Sequence, residues 1–288
     1  MTRRNIVANI VSMMSVILAF AFSTTLVLNT HGESIFDVVT RGNLQEARAI
    51  IQKNPRLVAL QRDDGSSALH LAAAYGTMAM VKLLIECRAD PNATNKIGGT
   101  PLHWAASTGK TKIVEILLTN GANPDVRDLN GKTPLHQAAY NGHVEICTNL
   151  VIHGANVETL GQSGTTALEL ATQEGHQDVV IFLIKQGAGI NTTNAFGATP
   201  LHAAAQHGRK AITELLLSRG AGIDAQSTSG QTPLHMAAGY GHLDVAKLLL
   251  EKGAKADAQD KLGRTPLWWA RENDHYDVLE FLRTWRAQ

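Results

Sequence analysis

Cysteine is nearly absent: Cys87 and Cys147 are the only two in 288 residues. A small fold stapled by disulfides is therefore excluded, and stability has to come from apolar burial. Aromatic residues are scarce as well, at 5% of the chain. Charge of one sign is also lacking, since 26 Lys and Arg stand against 25 Asp and Glu, a formal net charge of +1. Without a basic block, nucleic acid is not expected as a partner. Also missing are a nucleophile elbow, a phosphate-binding loop, a zinc-protease helix and a deaminase signature. Serines and acids are scattered without a base at motif spacing. No catalytic residue, no metal and no cofactor is expected.

What the chain does have is repetition. Thr100-Pro101-Leu102-His103 returns as Thr133-Pro134-Leu135-His136, Thr199-Pro200-Leu201-His202 and Thr232-Pro233-Leu234-His235. Altered copies are Ser67-Ala68-Leu69-His70, Thr166-Ala167-Leu168-Glu169 and Thr265-Pro266-Leu267-Trp268. Each copy stands 33 residues from the next. A fixed register of this length means one supersecondary unit stacked many times.

The four residues read as a helix start. The Thr hydroxyl can accept from a free N–H of the first turn. Pro follows where its missing N–H costs nothing and its φ is already helical. Leu points inward, and His can bond back to the Thr or toward a neighbouring turn. In the Thr166 copy, Glu169 fits a capping box. The helix ends at Gly109 or its equivalents Gly76, Gly142, Gly175, Gly208 and Gly241, the expected C-cap residue. A second helix follows, as over Lys112 to Thr119, closed by Gly121, Gly154, Gly187, Gly220 or Gly253. Neither helix is long enough to stand alone in water, so stacking has to supply the burial.

Both ends of the array differ from its middle. Residues 33–66 form a first repeat with helices over 34–41 and 44–53 and no Thr-Pro start. The last repeat, from residue 262, carries Arg271-Glu272-Asn273-Asp274 where the others have Ala and Gly. Polar terminal repeats are what a capped stack requires. Within the array, Arg88 occupies the position of Gly121. A left-handed Arg costs roughly 1 kcal/mol, so the loop over 86–92 is expected to rearrange.

These residues resemble the ankyrin repeat. The likeness includes the Thr-Pro-Leu-His start, the Ala-Ala after it (Ala105-Ala106, Ala138-Ala139, Ala204-Ala205, Ala237-Ala238), and Gly142-His143, Gly175-His176 and Gly241-His242. Gly-Ala-Asn at 121–123 and 154–156 fits too. The resemblance spans roughly residues 33–288 and implies about eight repeats including caps. It implies an all-α solenoid of stacked helix-turn-helix units with projecting β-hairpin-like loops. It also implies a monomeric, non-enzymatic module that binds a protein through its concave face and loop fingers. On the matching positions, the residues expected to bind are Tyr75, Trp104, Tyr140, His207, Met236 and Tyr240, with Phe196 on a finger. Other finger positions are Lys96, Ile97, Leu129, Lys132 and Gln231. Aromatic anchors dominate protein interfaces. For Trp104 and Met236, packing between neighbouring repeats is the competing expectation. The groove so defined is nearly uncharged, which suits an extended or helical peptide segment.

Residues 1–32 have another character. Arg3 and Arg4 are followed by no charged residue until Glu33, and Ile6 to Leu28 is mostly apolar. A basic start, an apolar run and small residues at Ala19-Phe20-Ala21 or Ala21-Phe22-Ser23 fit a cleaved signal peptide. The run is also long enough for an N-terminal membrane anchor. A third reading is an apolar helix packed on the array. In both targeting readings the repeats are exported, to a periplasmic or secreted location or to the non-cytoplasmic side of a membrane. Membrane contact is then expected only through residues 5–28, if that segment is uncleaved.

Twelve histidines invite a metal reading. Their register opposes it, because successive copies lie a whole layer apart and metal bonds are about 2 Å long. The cysteines stand two repeats apart, too far for a disulfide. Cys87 is expected at an exposed helix end and Cys147 half-buried. Asn92-Ala93-Thr94 and Asn191-Thr192-Thr193 match the glycosylation pattern, which matters only in a eukaryotic host.

Overall fold

The computed structural model describes residues 34–286. The expected signal or anchor over residues 1–32 lies outside them. Sixteen α-helices occur among the described residues, arranged as eight pairs. The pairs are α1 (Ile35–Arg41) with α2 (Leu44–Lys53), α3 (Ala68–Tyr75) with α4 (Met78–Glu86), and α5 (Pro101–Ser107) with α6 (Thr111–Thr119). Next come α7 (Pro134–Tyr140) with α8 (Val144–Ile152), and α9 (Ala167–Glu174) with α10 (Gln177–Lys185). Then follow α11 (Pro200–Gln206) with α12 (Lys210–Ser218), α13 (Pro233–Gly239) with α14 (Leu243–Glu251), and α15 (Pro266–Glu272) with α16 (Tyr276–Arg286). One 3₁₀ helix, Pro55–Ala59, follows α2. No helix among the described residues is long and apolar enough to cross a membrane.

Each first helix packs on the first helices before and after it, and each second helix does the same in its own layer. The core between the layers is built from small and branched residues. In the third pair it takes Leu102, Ala105, Ala106, Ile113, Val114 and Leu117, all buried. The Ala-Ala step of α3, α5, α7, α11 and α13 lets neighbouring helices approach closely.

The recurring His knits the layers. In the α5 copy, Nδ1 of His103 accepts the Thr100 N–H at 3.1 Å and lies 2.8 Å from the Thr100 hydroxyl. That Nδ1 therefore carries no proton, and the ring is the Nε2–H tautomer. Its Nε2–H donates to the Lys132 carbonyl of the next loop at 3.0 Å. His70, His136, His202 and His235 repeat both contacts.

A second set of bonds runs through the starts of the second helices. Nε2 of His176, His242 and His275 reaches the carbonyls of Tyr140, Gln206 and Gly239 in the preceding pairs. Arg209 makes the same reach to Gln173.

Three local expectations are corrected. Gly76 does end α3, but with φ −79° and not in the left-handed turn that such an end usually takes. Arg88 does adopt φ 68°, yet its loop is not rearranged. The Ala89 N–H still reaches the Leu84 carbonyl at 2.9 Å, as Ala122 reaches Leu117 at 3.0 Å. Glu169 makes only half of a capping box: its N–H donates to the Thr166 hydroxyl, but its carboxylate turns to Asn194 and Gln173.

Candidate functional site

The loops between pairs form a row of fingers along one edge. Each is a tight turn, as where the Asp128 N–H meets the Lys132 carbonyl and the Gly131 N–H meets the Asp128 carbonyl. An Asn or Asp side chain staples most of them. Asn95 Oδ1 accepts from Ile97 and Gly99, and Asp128 Oδ1 accepts from Asn130 and Lys132.

Neighbouring fingers are then linked by one backbone bond each. The donors Lys96, Leu129, Gln162, Ala195, Thr228 and Lys261 reach Asp64, Ile97, Asn130, Ser163, Phe196 and Ser229, at 2.8–3.0 Å. The fingers thus form a continuous ladder that holds their tips in fixed register. Four fingers carry apolar, solvent-facing residues at or near their tips, with Ile97 59% exposed, Leu129 71%, Phe196 66% and Leu262 74%, while the fingers at Gln162-Ser163 and Thr228-Ser229 are polar. Leu262 was not among the expected residues, although it stands two registers from Phe196.

The tyrosines lie at the C-terminal ends of the first helices. Tyr75, Tyr140 and Tyr240 are 48%, 37% and 53% exposed. Trp104 and Met236 differ from them. Trp104 is half-buried, packed on the core, with its indole edge-on to His70 at 5.6 Å. Met236 is half-buried against the core of the last pairs.

Tyr140 and His207 share an electrostatic neighbourhood. The Lys132 ammonium stands 5.7 Å from the centre of the Tyr140 ring. Partial burial and the Glu174 carboxylate raise the Tyr140 phenol above its ordinary value. Desolvation and Arg209 hold the exposed His207 below the usual imidazole range, while Glu174 opposes them. This stretch is therefore more charged than the expected neutral groove, because Lys132, Glu174 and Arg209 come together from three pairs.

The remaining polar groups serve the scaffold. Burial lowers the pKa values of His70, His103, His202 and His235, and brings His136 down to about 4. Cys147 is fully buried rather than half-buried, and burial pushes its thiol up to about 12. Cys87 is half-buried, and both thiols are free. Asn92 donates to the Gly121 carbonyl and accepts from the Asn123 N–H, so both ends of its amide are committed between pairs. Asn191 does the same with Gly220 and Gly222. Among the described residues, no group of three His, Cys, Asp or Glu side chains could hold a metal.

A family model described as ankyrin repeats in three copies matches residues 35–128, 119–194, 155–229, 179–260 and 201–287. A probable E3 ubiquitin-protein ligase, XBOS32 of Oryza sativa subsp. japonica, is 41% identical over 70 residues, 24% of this chain and 14% of that protein. The ankyrin repeat and SAM domain-containing protein 6 of Rattus norvegicus is 37% identical over 65 residues, 23% of this chain and 7% of that protein. The chain thus aligns with only a small part of either relative.

Proposed function

The chain belongs to the ankyrin-repeat family, and on that premise we propose an exported, non-enzymatic module that binds a protein through its fingers and its concave first-helix face. The family supports protein binding in general. The observation that carries the finer reading is the row of exposed apolar tips, Ile97, Leu129, Phe196 and Leu262, on a ladder of backbone bonds. Exposed apolar side chains held in fixed register suit an interaction site, since little ordering entropy remains to be lost on binding. The exposed tyrosines add amphipathic anchors beside it. Export rests on Arg3, Arg4 and the apolar run that follows. The ligase activity in the rice relative's name is not carried over, because the match covers 14% of that protein.

The test is capture of partner proteins by the exported form in its own compartment, with Tyr140, Phe196 and Tyr240 all replaced by Ala. Loss of capture with unchanged helical circular dichroism is expected. Undiminished capture by the folded variant would refute the surface assignment. N-terminal sequencing of the mature protein tests the export reading, which predicts a start near residues 22–33 for a cleaved signal.

A further inference from the structure

Five finger loops are gripped by a neutral imidazole. The Nε2–H of His70, His103, His136, His202 and His235 donates to the carbonyl at the base of the following finger. The finger that carries Phe196 is held otherwise. Glu169 stands in the His register, buried, and its Oε1 accepts from Asn194 Nδ2 at 2.7 Å and Gln173 Nε2 at 3.3 Å. Asn194 Oδ1 in turn accepts from the Phe196 N–H at 2.9 Å and the Ala198 N–H at 3.1 Å, which closes the turn. The grip on this finger therefore passes through a titratable carboxyl, and both amide donors serve the same oxygen.

The Arg209 guanidinium, at the start of α12, reaches α9 at the Gln173 carbonyl, one turn beyond Glu169, and makes no ion pair with that carboxyl. His136 on α7 and His202 on α11 are buried and bonded to the Thr165 and Gln231 carbonyls. Asp178 and Lys185 on α10 are exposed, and Glu174 sits at the far end of α9 itself. Loop residues 160–166 and 190–199 carry no charge.

We propose that Glu169 is a proton-operated latch on the Phe196 finger. Protonated, the carboxyl stays buried and holds Asn194. Ionised, it is drawn toward water, and the turn loosens. Burial raises the Glu169 carboxyl to about 7 in the closed finger, against 4.5 for a solvated Glu. The closed state therefore binds its proton more tightly than the open state. Closure is favoured most below pH 4.5, weakens as pH rises toward 7, and changes little above that. If the finger contacts the partner as proposed above, binding is tighter in mildly acidic surroundings.

Hydrogen exchange on the free, full-length protein at pH 5 and pH 8 tests the latch, with the 128–132 finger as internal control. Amide protection over 195–198, relative to the control, should fall at least tenfold at pH 8, since each unit of pKa separation is a factor of about ten. Glu169→Gln should abolish that fall. Glu169→His restores the imidazole grip and should make the finger follow the control. An equal protection ratio at both pH values, or a fall that persists in Glu169→Gln, overturns the latch. Because no partner is present, this outcome is independent of the capture experiment.

Discussion

Two bonds at each buried His explain why this residue, and not another apolar one, recurs inside the stack. A Leu would fill the space but would leave the Thr N–H unpaired and take from the next loop's carbonyl one of its two donors. Orphaned buried groups of this kind cost about 1–3 kcal/mol each. His136→Leu strands the Thr133 N–H and leaves the Thr165 carbonyl with the Gly161 N–H as its remaining donor, so it should cost about 2 kcal/mol in urea unfolding near pH 7.5. The pH dependence has a definite sign. The His136 ring titrates near 6.5 when unfolded and about 4 when folded, with burial as the main cause. The unfolded chain therefore takes up the proton first, and stability is lost as pH falls from 6.5 toward 4. Between pH 7.5 and 5 the wild type should lose about 2 kcal/mol more than the variant, from this one ring. Equal losses would show that His136 is not held neutral by the fold. Glu169 acts in the opposite sense, since its raised value favours the folded state at lower pH.

At the level of the helix pair, the glycines separate into two kinds that look alike in sequence. Gly121 has φ 86° and open space where a Cβ would go. Gly142 has φ 76°, and a Cβ there would lie 2.5 Å from Nδ1 of His176. An Ala at either site meets the left-handed backbone cost of about 1 kcal/mol. At Gly142 the ring must also move, which breaks its bond to the Tyr140 carbonyl at 3.0 Å. Gly142→Ala should thus cost about 2 kcal/mol and Gly121→Ala about 1 kcal/mol, measured by urea unfolding. Equal costs would mean that the His176 contact contributes nothing.

The helix pairs themselves were legible from the 33-residue register, with ends correct to about one residue. The role of His176 was not, because its partner lies 36 residues upstream in another pair. The loop at Arg88 was misjudged for a different reason: local backbone bonds at the end of α4, such as Ala89 N–H to the Leu84 carbonyl, hold the turn whatever the side chain costs. At the candidate site, register placed the tyrosines and Phe196 on exposed positions. It could not say that Trp104 would turn edge-on to His70, because spacing does not fix side-chain direction.

The buried apolar residues of the array fall into two clusters that meet in the sixth pair. One buried cluster runs from Ile35 in the first pair to Ala221 after the sixth, and another from Ala205 to Leu282. Leu217 packs against both. In a stack stabilised by nearest neighbours, such a break lets one end open before the other. The smaller cluster belongs to the last pairs, whose end is closed by an unusual group. Trp268 stands where other copies have His, and the Arg264 guanidinium lies 5.0 and 4.4 Å from the Trp268 and Trp269 rings. Arg264 and the Trp269 indole N–H both reach Asp260 Oδ2, at 2.8 and 3.1 Å. These contacts fasten α15 to the finger that precedes it and do not reach the sixth pair. Three of the four tryptophans, Trp268, Trp269 and Trp285, lie in that last pair. Replacing Trp104 with Phe makes indole emission a reporter of the C-terminal end alone. Its urea transition should precede the loss of helical circular dichroism, which sums over all pairs. Coincident transitions would mean that the hydrogen bonds crossing the break, such as His202 to Gln231 at 3.0 Å, couple the two clusters into a single cooperative unit.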